Sequence, residues 1–154
     1  LIRRRDALKR AVVNANAETK VNVAGETMTV AEAIDKKNHG VRYLKTVLRR
    51  MTVDYENAIR TIAQNSGEAL EKRAEQFILS MISAQPKDAK MSIDDDSMQK
   101  TREEYIKNNT YDLIDPIGIV KAMDDLRETI SDFESEVDAV LSTSNAVTEI
   151  EISY

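Results

Sequence analysis

The residues best suited to chemistry lie in a basic run between Lys36 and Arg50. On a helix, Asn38, Arg42, Lys45 and Arg49 follow one another in steps of 4, 3 and 4 and so share one face, flanked by Lys36, Lys37, His39 and Arg50. Such a stripe suits phosphate oxygens, because arginine offers paired hydrogen bonds and lysine a compact charge. Lys37, Asn38, His39, Arg42, Lys45, Arg49 and Arg50 are therefore the candidate ligand-binding residues. Stripes brought together by subunit association would enclose a small anion between helices. The same charges can instead form a solvated face, or pair with Asp124, Asp125, Glu128, Asp132, Glu134 and Glu136 further along the chain. Both readings stand at this stage. His39, the single histidine, can donate to a phosphate or stack on a base, or simply sit on the surface. Gly40 beside it removes bulk, so that a ligand or another backbone can come close.

No catalytic residues are identified. The chain has no cysteine, which excludes disulfides, thiolate nucleophiles and Cys-ligated zinc. It has no nucleophile elbow and no phosphate-cradling glycine loop, and one histidine needs several carboxylates to complete a zinc site. Asp94-Asp95-Asp96 lacks the spacing and glycine of a calcium loop. The expectation is a protein that is not an enzyme and uses no metal or cofactor.

Charge is unevenly spread. The 154 residues carry a net −5, yet residues 1–50 hold 12 Lys and Arg against 5 acids, a net +7, and the remainder is −12. A basic third on an acidic chain suits self-association or one anion-binding face, and disfavours broad nucleic-acid binding. No run approaches the roughly 20 apolar residues of a membrane span, and no secretory leader opens the sequence, so a cytoplasmic protein is expected with no membrane partner. Length suits a single helical domain, residues 1–154.

Several elements must position the stripe. Residues 1–17 suit the end of an amphipathic helix, and 19–29 a short strand and turn around Ala24-Gly25-Glu26. Thr29-Val30-Ala31-Glu32 matches a capping box and starts a helix. From there Val30, Ile34, Val41, Leu44, Leu48, Met51, Tyr55, Ala58 and Ile62 form a heptad seam that skips one position, Lys37. Burying Lys37 would require a neutralising anion or a snorkelling side chain. One helix over 30–83 is expected, kinked near Gly67. Residues 84–114 read as a polar excursion with a short helix from about Ser97 to Asn108. Asp115-Pro116 then starts a helix over 115–144, whose seam is Ile119, Met123, Leu126, Ile130, Phe133, Val137 and Val140. The two seams pair antiparallel.

The chain also repeats itself. Asn16-Ala17-Glu18-Thr19-Lys20-Val21-Asn22-Val23 and Asn145-Ala146-Val147-Thr148-Glu149-Ile150-Glu151-Ile152 share one pattern, each after a helix. Both suggest a helix stop feeding a strand, and the strands over 20–23 and 147–153 are expected to pair, with Lys20 facing Glu149 and Glu151. The fold class is thus mainly α: a long antiparallel, coiled-coil-like helical hairpin with a small two-stranded β ribbon.

These motifs, from Asn16 to Ile34 and from Asp132 to Ile152, resemble small helical proteins of phages and prophages related to the septicolysin-like family. The resemblance implies a phage-borne, helix-rich homo-oligomer in the bacterial cytoplasm. The toxin chemistry in that family's name would need a thiol, which this chain lacks. Some phage oligomers of similar architecture sequester the host's nucleotide immune signals. The function expected is therefore non-enzymatic sequestration of a small anionic, nucleotide-like signal, and the alternative is a virion or assembly component held by its seams.

Overall fold

The computed structural model describes residues 2–84 and 95–152. The expectations placed on Leu1, Pro86, Asp94 and Ser153 lie outside them. The elements in order are α1 (Ile2–Glu18), β1 (Lys20–Val23), β2 (Glu26–Thr29), α2 (Val30–Asp35), a π-helical turn (Lys36–Gly40), α3 (Val41–Gln64), α4 (Gly67–Ser83), α5 (Asp95–Asn109) and α6 (Ile119–Val147). The fold is mainly α with one two-stranded antiparallel ribbon. Chain packing forms two compact units, residues 1–52 with 117–154, and residues 53–116.

In the first unit, β1 and β2 form a hairpin in which Val21 lies opposite Met28 and Val23 opposite Glu26. The turn is Ala24-Gly25, both at positive φ, the geometry that matches strand twist in a two-residue hairpin. Alternation turns Val21, Val23 and Met28 to one face. That face meets Ala33, Val41, Ile130, Phe133 and Val137 in the core, with Leu44, Leu48, Leu126 and Val140 packed around it. Fully burying a side chain the size of Phe133 contributes about 1.5–3 kcal/mol. Glu136 adds a polar tie, accepting the Ala24 N–H at 2.7 Å.

The two seams do run antiparallel in this unit. Lys37 pairs with Asp138, Lys45 with Glu134, and Thr52 donates to Met123 Sδ at 3.6 Å, so partners descend α6 as the chain ascends α3. Every seam position named on α6 is buried or half-buried, and the row continues to buried Ser144. On the other strand of the pairing, Ala33 rather than Ile34 enters the core.

The skipped seam position has a structural origin. Over Lys36–Gly40 the helix widens to i→i+5 hydrogen bonds, with the Val41 N–H donating to the Lys36 carbonyl. The extra residue shifts the register of the seam across this turn. As a result Lys36, not Lys37, occupies the interior position. Its ammonium lies 4.9 Å from the centre of the Phe133 ring and pairs with Glu26 of β2. A Cβ on Gly40 would stand 3.2 Å from Cγ of Lys36. Gly40 thus makes room for the Lys36 stem.

The second unit is held by the end of α3 with α4 and α5. Asn65 organises it: its amide donates to the Thr61 carbonyl, its Oδ1 accepts from Arg73 at 2.6 Å, and its backbone carbonyl accepts the Tyr111 N–H. Leu70 and Ala74 are buried, and Phe77 stacks on Tyr105 with centroids 4.7 Å apart.

Three expectations need correction. The helix over 30–83 is not continuous, because Ser66 is extended and Gly67 left-handed, so α4 is a separate helix. The last helix begins at Ile119 after left-handed Gly118, and Asp115-Pro116 precedes it. The ribbon pairs β1 with β2, while residues 148–152 are not in a strand. The repeated motif does mark equivalent helix ends: Thr19 N–H donates to Ala15 and Thr148 N–H to Ser144. The first copy runs on through the Ala24-Gly25 turn into a second strand and forms a hairpin.

The capping box at α2 is complete. Glu32 accepts the Thr29 N–H at 2.7 Å and the Thr29 hydroxyl at 3.0 Å, and the backbone bond is the main reason its pKa lies below the ordinary 4.5. A lowered carboxylate pKa stabilises the fold above about pH 4.5, and that stabilisation fades as pH falls through the native value. Glu32→Gln should therefore lower unfolding free energy at neutral pH and converge with wild type in acid. A gap independent of pH in urea titrations would contradict this.

Candidate anion-binding site

The basic stripe lies on the first turns of α3 and the π turn. There Lys37, Val41, Arg42, Lys45, Thr46 and Arg49, with Glu134 of α6, line an open cleft of about 520 Å³. The helix period that keeps Val41, Leu44 and Leu48 on the core carries Arg42, Lys45 and Arg49 beside them, exposed at the edge of the seam. The antiparallel packing of α6 supplies the second wall.

The cations of this cleft differ in their pairing. Lys45 Nζ lies 2.7 Å from Glu134 Oε1, and Lys37 pairs with Asp138. Arg42 and Arg49 have no ion pair or side-chain hydrogen bond among the described residues. Thr46 spends its hydroxyl on the Arg42 carbonyl at 2.9 Å, which leaves the guanidinium of Arg42 untouched. The two arginines stand about two helical turns apart, and their guanidinium donors are unspent among the described residues. A second cleft of about 330 Å³ shares Lys45 and Glu134 and adds Leu48, Arg127, Ile130 and Ser131. The Lys45–Glu134 pair therefore stands between two recesses.

Of the sequence candidates, Lys37, Arg42, Lys45 and Arg49 come together in this cleft. Asn38, His39 and Arg50 do not line it. His39 Nδ1 sits 2.9 Å from Asp35 Oδ1, one turn back on its own helix, and both side chains are exposed. Arg50 is engaged elsewhere. The π turn accounts for part of this, since a regular α-helical wheel misplaces Asn38 and His39 relative to residues beyond Gly40. Arg127 and Ser131 carried no sequence signal, because they reach the stripe only through the pairing of the two helices. Glu134 was visible as one of the acids able to pair with it.

Of the four cations in the cleft, Lys37 and Lys45 are paired with α6, and Arg42 and Arg49 are not paired among the described residues. Among the described residues no group of three or more His, Cys, Asp or Glu could hold a metal ion, and no helix is long and apolar enough to cross a membrane.

Glu134 is the single carboxylate lining the main cleft. Because its bridge to Lys45 is half exposed, Glu134→Gln should change stability by no more than about 1 kcal/mol. The same exchange removes a repelling charge and frees Lys45. Pyrophosphate measured by calorimetry should bind more tightly to the variant, with the gain largest at low ionic strength. Weaker binding would assign Glu134 to the ligand instead.

Compared with known proteins, no family model matches the chain, and neither do any of the curated proteins or solved structures at a significant level.

Proposed function

We propose that this chain is a non-enzymatic, oligomeric protein that binds a small anionic, nucleotide-like ligand in the α3–α6 cleft. The observation that carries the reading is the pair Arg42 and Arg49, whose guanidinium groups have no partner among the described residues at the edge of a cleft already supplied with two further cations.

The cleft's volume of about 520 Å³ falls within the range of small-ligand sites. The adjoining recess at Arg127 and Ser131 offers room for a second polar group of the same ligand. The lining contributes positive charge, hydroxyls and one carboxylate tied to a lysine, which suits holding a ligand rather than transforming it. The resemblance of the motifs at Asn16–Ile34 and Asp132–Ile152 to phage-encoded proteins adds the setting. In that reading the protein sequesters a host signalling nucleotide in the bacterial cytoplasm and so counters antiphage immunity.

A second reading, a structural or assembly component, draws on another observation. Ile2, Leu8, Val12, Val13, Leu79, Met81 and Ile82 are large apolar side chains left exposed. Such side chains would suit contact with a partner surface.

Native mass spectrometry of protein purified from phage-challenged bacteria separates the two. The binding reading predicts an oligomer carrying a stoichiometric nucleotide that is released chemically unchanged on heating, and that is lost in Arg42→Glu and Arg49→Glu. An assembly with nothing bound under those conditions would shift the assignment to the structural reading.

A further inference from the structure

α1 fully buries none of its 17 residues, with only Ala7, Ala11, Ala15 and Asn16 half-buried where it meets α2 and β2. A helix of that length is marginal in water without tertiary packing. Its exposed apolar residues include Leu8 and Val12, which at i and i+4 lie on one face flanked by Arg4, Arg5 and Lys9, while Arg3 and Arg10 lie on the far side and the helix's acids are Asp6 and Glu18. The helix is therefore a basic rod with a narrow apolar edge.

The second unit carries the opposite surface. Between α4 and α5 lies an open cleft of about 650 Å³, with Ile78, Leu79 and Met98 as its apolar part and Glu75, Asp95 and Asp96 as its acidic edge. None of those three carboxylates has an ion pair or hydrogen bond from its side chain among the described residues. Arg102, the one cation of the cleft, faces Glu71 at 3.8 Å. Leu79 is 62% exposed.

We propose that α1 of one copy docks into the α4–α5 cleft of a second copy, with Leu8 and Val12 against Ile78, Leu79 and Met98, and the flanking cations against Glu75, Asp95 and Asp96. Charge complementarity selects this occupant: the cleft's edge is acidic, the helix is basic, and each carries exposed apolar residues. Other faces fit less well. A second α1 would repel the first, and the outer face of α6 offers Asp124, Asp125, Glu128 and Asp132 with little apolar surface. If each copy gives one α1 and receives one, the contact closes as a two-fold dimer.

The absence of native cysteine makes the test clean. One full-length sample carries Leu8→Cys and a second carries Leu79→Cys, both at exposed positions where folding is preserved. Mixed under mild oxidation, the two should give a disulfide-linked heterodimer in preference to either homodimer, and far less of it in high salt. Asp95→Lys with Asp96→Lys in the acceptor should lower that yield at least several-fold, and Arg5→Glu with Lys9→Glu in the donor should recover part of it. No heterodimer in the mixture would overturn the proposal, as would a bond formed only within one chain carrying both cysteines. A chain that fails to cross-link and instead pellets with anionic lipid vesicles would also overturn it, assigning α1 to a lipid surface.

Discussion

The packing of Phe133 against the hairpin and the π turn is the constraint on which the first unit depends. The ring is almost fully buried beside Val23, Met28, Ala33 and Val41, and it carries the Lys36 ammonium on one face. That cation is tolerable there because Glu26 completes its neutralisation from β2. Hairpin, widened turn and α6 are thereby locked to one register. The placement of the cleft's arginines on the first turns of α3 follows from it.

An electrostatic division of labour results. Cations close to α6 are matched by its acids, as Lys37 is by Asp138 and Lys45 by Glu134. Arg42 and Arg49 sit on the same helix but point past the reach of those acids, and their charge stays available. A stripe that was entirely paired would act as glue, and one entirely unpaired would repel its own helix. The mixed arrangement adds little to the apolar packing that joins the helices, and it leaves positive charge at their edge.

Much of this was legible in the sequence, and the rest was not for identifiable reasons. The heptad at Met123, Ile130, Phe133 and Val137 is local and periodic, and those residues form the core. The capping box at Thr29 and Glu32 is equally local, and both of its hydrogen bonds form. What escaped depends on single-residue insertions or distant pairing. The π turn adds one residue, which moved the interior cation from Lys37 to Lys36 and took Asn38 and His39 away from the cleft. The repeated N-A-x-T motif marked both helix ends, but strand pairing was decided by the Ala24-Gly25 turn, which brings β2 next to β1 at the lowest loop-closure cost. Gly67 stopped a helix that its apolar spacing alone would have continued.

The central claim, that Arg42 and Arg49 together form an anion site, is tested most directly by resolving arginine side chains individually. In ¹⁵N-labelled protein titrated with pyrophosphate, the Nε–Hε signals of Arg42 and Arg49 should move together and saturate at one common affinity, while those of Arg3 and Arg5 stay nearly fixed. Uniform, non-saturating drift of all the arginine signals would mean that the stripe attracts anions only as a diffuse surface charge, and would contradict the account.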